Sequence, residues 1–261
     1  MDEPQLAGKV VLVSGGTQGL GEAVARRAAV QGAEAVAITG RNAADGERVQ
    51  RELEAACTRA IYLKTDLADV EQARASVQDT ISEFGRLDAV ANCAGLTSRG
   101  TFLDTEPELF DAHMAVNLRA PFFIMAETIR HLVGRGAPGS IVNVISIAEH
   151  GGQAFLAPYV AAKAGLAGAT RNAAHAHRWD RIRINGLDIG WTATAGEAAT
   201  QKNFHGAEDD WLEKANASVP MGRLGQPDEI AEFVVFLLSD RSGVVTGSVI
   251  DWDQQVIGGQ E

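Results

Sequence analysis

Short apolar, β-branched runs recur along the chain, each followed by a longer segment whose apolar positions fall at helical spacing. "KVVLVS" leads into a helix from about Gly19, "EAVAIT" into one through "AADGERVQRELEAA", and "AIYLK" into "DVEQARASVQDTISEF". The rhythm continues with "LDAVANCAG" and a long helix through "PELFDAHMAVNLRAPFFIMAETIRHL". It then runs through "SIVNVIS" with the helix around "YVAAKAGLAGATRNAAHAH", and through "RIRINGLD", "PDEIAEFVVFLLS" and a closing strand in "GSVIDW". Strands that are apolar throughout and separated by helices belong to a parallel sheet covered on both faces. Seven such runs predict one doubly wound α/β sheet. At 261 residues the chain is near the upper size of a single core, so one domain, 1–261, is expected. Only residues 191–221 depart from the rhythm, as a long, irregular polar stretch expected of a substrate lid.

Composition narrows the partners. A formal net charge of −11 opposes binding to nucleic acid or to an anionic membrane surface. No apolar run reaches the roughly 18 residues of a membrane span, and the N-terminus has no basic leader region. A cytoplasmic protein acting on a small molecule is expected. Cys57 and Cys93 form no CxxC and have no His at metal-ligand spacing, so neither a disulfide framework nor a metal site is expected. Both read as buried small hydrophobes.

In a doubly wound sheet, ligands bind outside the carboxyl ends of the strands. The first strand ends in "SGGTQGLG", where Gly15, Gly19 and Gly21 are spaced as GxxxGxG. Such spacing permits a tight turn, close approach of backbone to a pyrophosphate, and a helix start whose free N–H groups favour anions. A Gly-rich turn without a ligand is the plainer reading; the position directly after the first strand favours a dinucleotide. Tyr159 and Lys163 in "APYVAAKAGL" lie four apart, on one helix face.

Together these features resemble the short-chain dehydrogenase/reductase family, in its branch of about 250 residues, over essentially the whole chain. The resemblance rests on Gly15-x-x-x-Gly19-x-Gly21, Asp66 in "KTDLAD", "ANCAG" in place of Asn-Asn-Ala-Gly, Asn117 in "MAVNLRAPF", Ser146 after "IVNVI", and Tyr159-x-x-x-Lys163. It implies a Rossmann-type fold and hydride transfer between a nicotinamide and a carbinol or carbonyl carbon. Tyr159 would be the proton donor or acceptor, its phenol lowered from near 10 by Lys163 and by an oxidised nicotinamide. The resemblance gives Ser146 the substrate oxygen, Lys163 also the nicotinamide ribose, and Asn117 a water that links Lys163 to solvent. Plainer roles remain for two of these: Ser146 as a loop cap, and Asn117 as an interior helix residue.

The implied cofactor surface comprises Gly15, Thr17, Gln18, Gly19, Leu20 and Gly21, with Asp66 and Leu67 at the adenine and Asn92, Ala94 and Gly95 at the adenosine ribose. Tyr159, Lys163, Ile189, Gly190, Thr192 and Thr194 complete it near the nicotinamide. A carboxylate normally reads the ribose of NAD at the end of the second strand. Here Gly40 stands in that place with Arg41 beside it. A guanidinium there can pair with a 2′-phosphate, favouring NADP over NAD; stacking on adenine or simple solvation is the alternative.

Two family features are altered. The usual Pro-Gly after the sixth strand is Ile189-Gly190, and the terminal Asp-Gly-Gly is Asp253-Gln254-Gln255. The second change weakens the inference of subunit pairing, though a homotetramer remains the expectation. His150, Gln153, Trp191, Phe204 and His205, with Ser146, are the candidate substrate contacts. Their mix of hydrogen-bonding groups and aromatics suits a small sugar or polyol. The alternatives to a dehydrogenase are a non-catalytic dinucleotide sensor, which could have lost Tyr159 and Lys163, and an epimerase on the same fold.

Overall fold

The computed structural model describes residues 4–258. Its strands are β1 (Val10–Ser14), β2 (Ala35–Gly40), β3 (Arg59–Lys64), β4 (Ala89–Asn92), β5 (Gly139–Val144), β6 (Ile182–Ile189) and β7 (Val249–Trp252). They form one sheet in the order β3-β2-β1-β4-β5-β6-β7. Every pairing is parallel. Strand order reverses between β1 and β4, which opens a crevice above their carboxyl ends.

The helices are α1 (Gly19–Val30), α2 (Ala43–Ala55), α3 (Val70–Phe84), α4 (Pro107–Met114), α5 (Ala120–Arg135), α6 (Ala157–His177), α7 (Ala195–His205), α8 (Trp211–Ala217) and α9 (Pro227–Leu238). Successive strand residues enter opposite cores. Val11, Val13, Val36 and Ile38 pack with α1, α2 and α9, whereas Val10, Leu12, Ala35 and Ala37 pack with α3, α5 and α6. This two-sided burial is why the strands read as continuous apolar runs. Helix starts follow local chemistry: Asn42 accepts from the Ala44 N–H to cap α2, and Asp69 from Glu71 and Gln72 to cap α3. Among the described residues no helix is long and apolar enough to cross a membrane.

Three expectations need correction. The long fourth helix is interrupted, because Ala115–Arg119 between α4 and α5 is π-helical. Residues 191–221 are not irregular: they hold α7 and α8, and Thr194 caps α7 by accepting from the Glu197 N–H. Their few buried positions, Thr192 ahead of α7, Thr200 in α7 and Ala215 in α8, explain why no helical period stood out. Cys57 is exposed rather than buried, at positive φ in the turn after α2.

Candidate active site

A single cavity of about 990 Å³ runs across the carboxyl ends of the strands from Arg41 to His205. Its first end is made of backbone. A Cβ on Gly21 would stand 2.1 Å from the Gly15 carbonyl oxygen, and one on Gly15 would stand 2.8 Å from Ala94 Cα. Both positions therefore require glycine. Gly19 adopts φ +55° facing the Thr194 side chain, which a Cβ would meet at 3.9 Å, and Gln18 makes no side-chain cap at the start of α1. The first N–H groups of α1 therefore have no side-chain partner there, and they border the same cavity, an arrangement suited to an anion.

Gly40 is explained by its neighbour, because a Cβ there would meet Thr17 Oγ1 at 2.4 Å. An acidic side chain cannot occupy the position without displacing Thr17. Arg41 is exposed at the cavity's edge and forms no ion pair among the described residues. Thr17, Gln18, Leu20, Asp66, Leu67, Ala94 and Gly95 all line this end. Asn92 does not. It is buried at the end of β4, where its amide donates to Asn143 Oδ1 at 2.8 Å, and Cys93 takes the lining position.

At the centre stand Ser146, Tyr159 and Lys163. Ser146 follows β5 and caps the short turn behind it, its Oγ accepting from the Ala148 N–H at 3.2 Å. Tyr159 and Lys163 occupy successive turns of α6, and Lys163 Nζ lies 5.6 Å from the Tyr159 ring centroid. The ammonium donates to the Val144 carbonyl at 2.8 Å.

Burial sets the electrostatics. It pushes the Tyr159 phenol up to about 12, opposed by the Ser146 hydroxyl and then by the charge of Arg99. It also pulls Lys163 down to about 8. The groups that favour phenolate here are the Ser146 hydroxyl and the Arg99 charge, and desolvation outweighs both.

Asn117 sits within the π-helical segment and is fully buried. Its Oδ1 accepts from the Leu96 N–H at 2.8 Å, and its Nδ2 donates to the Leu96 carbonyl at 2.9 Å. His113 Nδ1 lies 3.1 Å from the same amide. These bonds engage both ends of the amide and fix the loop after β4, so the side chain does not line the cavity.

Ile189, Gly190, Thr192 and Thr194 line the wall beside Tyr159. Gly190 lies against Asp253, whose carboxylate would have to move for a Cβ, which would stand 1.8 Å from its Oδ1. Gln254 closes the same wall, its Oε1 accepting from the Met221 N–H at 2.7 Å and its Nε2 donating to the Arg223 carbonyl at 2.9 Å.

At the second end, Gln153, Trp191 and His205 line the cavity, joined by Arg99, Phe155 and Glu197. Phe204 is exposed outside it. His150 also turns away, with Nε2 3.5 Å from Asp188 Oδ2 and 3.3 Å from Asp251 Oδ1. Asp188, on β6, is fully buried with both oxygens lacking a hydrogen bond, and burial pushes its carboxyl up to about 7. Sequence reasoning passed over Arg99 and Glu197. The first lies in the loop after β4, the second in the segment read as irregular, and neither belongs to a motif.

Comparisons with known proteins show what the chain is similar to. A family model described as enoyl-(acyl carrier protein) reductase matches residues 15–254. The 2,5-dichloro-2,5-cyclohexadiene-1,4-diol dehydrogenase of Sphingobium indicum is 34% identical over 95% of this chain and 96% of its own. The L-rhamnose 1-dehydrogenase (NAD(P)(+)) of a Sphingomonas species is 32% identical over 94% of each. A dehydrogenase/reductase from Sinorhizobium meliloti 1021 superposes with a TM-score of 0.83 at 33% identity, covering 95% of both chains. The chain belongs to the short-chain dehydrogenase/reductase family. It is an NAD(P)-dependent dehydrogenase acting on a CH–OH group.

Proposed function

We propose that the chain interconverts a secondary alcohol and a ketone on a small polyhydroxylated molecule, with NADP as the preferred cofactor. The reading is carried by one observation: Ser146, Tyr159 and Lys163 meet in the same cavity as a glycine cradle whose backbone a Cβ would block. The nicotinamide, when bound, supplies or accepts the hydride. The chain's own residues bind, orient and move the proton. Ser146 Oγ holds the substrate oxygen, and Tyr159 transfers the proton at that oxygen. Lys163 holds the nicotinamide ribose, and the main chain around Asn117 replaces its side chain as the route to solvent. A phenol as high as about 12 is protonated at neutral pH, which favours Tyr159 as a donor to a carbonyl.

The preference for NADP is supported by Gly40, which leaves no room for a carboxylate, and by the unpaired guanidinium of Arg41 next to it. Residues 191–221 act as the substrate lid. A homotetramer is supported by apolar side chains left exposed along the interrupted fourth helix, Phe110 on α4 and Phe122 and Val133 on α5.

The test is fluorescence titration of NADPH and NADH with the purified protein and with Arg41→Ala. The expected result is a tighter NADPH complex that Arg41→Ala weakens by about 10- to 100-fold, with NADH little affected, as for loss of a charge-assisted bond. Equal loss of both would remove Arg41 from 2′-phosphate recognition. Binding of either cofactor without oxidation of any alcohol would turn the reading toward a sensor.

A further inference from the structure

Arg99 is half-buried in the loop after β4 and lines the cavity with Ser146 and Tyr159. Burial works against its charge, yet a guanidinium stays protonated, and no carboxylate lies within ion-pair distance among the described residues. The charge of Glu197 favours the cation from beyond ion-pair distance, but desolvation outweighs it. Its position is nonetheless well fixed. Nη1 donates to the Thr97 carbonyl at 2.9 Å, and the guanidinium carbon lies 5.1 Å from the Phe155 ring centroid.

The remaining edge is informative. Nε and Nη2 both converge on one atom, His205 Nε2, at 3.2 and 3.1 Å. Two parallel donors aimed at one nitrogen lone pair are poorly matched; the same fork fits the two oxygens of a carboxylate. The nearest acid, Glu197, does not take the place. Its Oε1 accepts from Trp191 Nε1 at 2.8 Å and Gln201 Nε2 at 2.7 Å.

We propose that the substrate is a hydroxy acid: its carboxylate takes the Nε/Nη2 edge of Arg99 in place of His205, while its carbinol carbon lies at Ser146 and Tyr159. Glu197 and Gln153 then face the remaining hydroxyls. This rests on the dehydrogenase reading above and supplies what that reading leaves open. Arg99 lines the same cavity as Ser146 and Tyr159, so one molecule can present its carboxylate to the first and its reacting oxygen to the other two. Because His205 ends α7, the incoming anion also frees the end of that helix from the loop after β4.

The experiment compares short hydroxycarboxylates, 3-hydroxybutyrate and 4-hydroxycyclohexanecarboxylate, with their neutral amides as substrates of the NADP-loaded enzyme. The acids are expected to exceed the amides in kcat/KM by about 10- to 100-fold, the effect of a charge-assisted bidentate contact. The preference should collapse in Arg99→Gln through KM and be partly kept in Arg99→Lys, which retains the charge but not the fork. An enzyme that oxidises the amides as well as the acids, or a preference that survives Arg99→Gln, overturns the proposal.

A second measurement separates the two readings. Cyclohexanecarboxylate and cyclohexanecarboxamide, which carry no carbinol, are titrated calorimetrically into the same protein. Tighter binding of the carboxylate, lost in Arg99→Gln, upholds the anion site even where no alcohol is turned over and the dehydrogenase reading fails. Equal binding of the two probes rejects the site.

Discussion

The two ends of the cavity are built on different principles. The dinucleotide end is a surface of main chain, shaped by the absence of side chains at Gly15, Gly21 and Gly40. The substrate end is a surface of side chains, gathered from the loop after β4, the turn after β5, the approach to α6 and α7. A backbone surface tolerates no added atom at its tight points and is indifferent to much else. A side-chain surface can be retuned one residue at a time with the fold left alone, and specificity accordingly resides there.

The largest expected effect lies where the two ends meet. Tyr159→Phe removes only the hydroxyl, so turnover should fall by about 10³- to 10⁴-fold, at the upper range for proton transfer by a positioned group. Cofactor affinity should hardly change. Steady-state rates beside a cofactor titration check this, and normal turnover would detach chemistry from the phenol.

Gly21→Ala probes the backbone end alone. Its methyl would lie 2.1 Å from the Gly15 carbonyl oxygen, so the turn must shift, and cofactor affinity should drop by about 100-fold or more while the circular dichroism of the sheet persists. An alanine variant that binds cofactor normally would break the contrast drawn between the ends.

The smallest effect concerns stability beneath the substrate end. Asp188 in the folded chain keeps its proton up to about pH 7, whereas in the unfolded chain it loses it near pH 4. Between these values the folded state binds the extra proton, so stability falls as pH rises and the full penalty is present above pH 7. His150 offsets part of it. Asp188→Asn should raise Tm at pH 8 by a few degrees, corresponding to about 1 to 3 kcal/mol, and change little at pH 4. Thermal scans at the two pH values decide it, and a loss of stability at pH 8 would show that the carboxylate is compensated.

The same contrast explains what the sequence disclosed. Apolar runs buried on both faces made all seven strands legible, and the glycine spacing marked the backbone end because such surfaces are written in consecutive residues. Tyr159, Lys163 and Ser146 were legible through their family pattern. Arg99 and Glu197 were not, since their meaning arises only when distant loops converge. His150 and Phe204 failed for the reciprocal reason: they adjoin the right segments in sequence but point away. Asn92 and Asn117 kept their expected places on the chain, yet their amides are engaged by Asn143 and by Leu96. The π-helical turn has no compositional mark at all.

Gln254 invites a kinetic reading. Its amide ties the Met221 N–H and the Arg223 carbonyl, the stretch that follows α8. Any outward swing of that stretch must break both bonds, at about 0.5 to 1.5 kcal/mol each, which slows opening by roughly 5- to 150-fold. Where residues 191–221 open as the proposed lid, a glutamine far along the chain from Tyr159 would act as a latch on the time a product stays in the cavity.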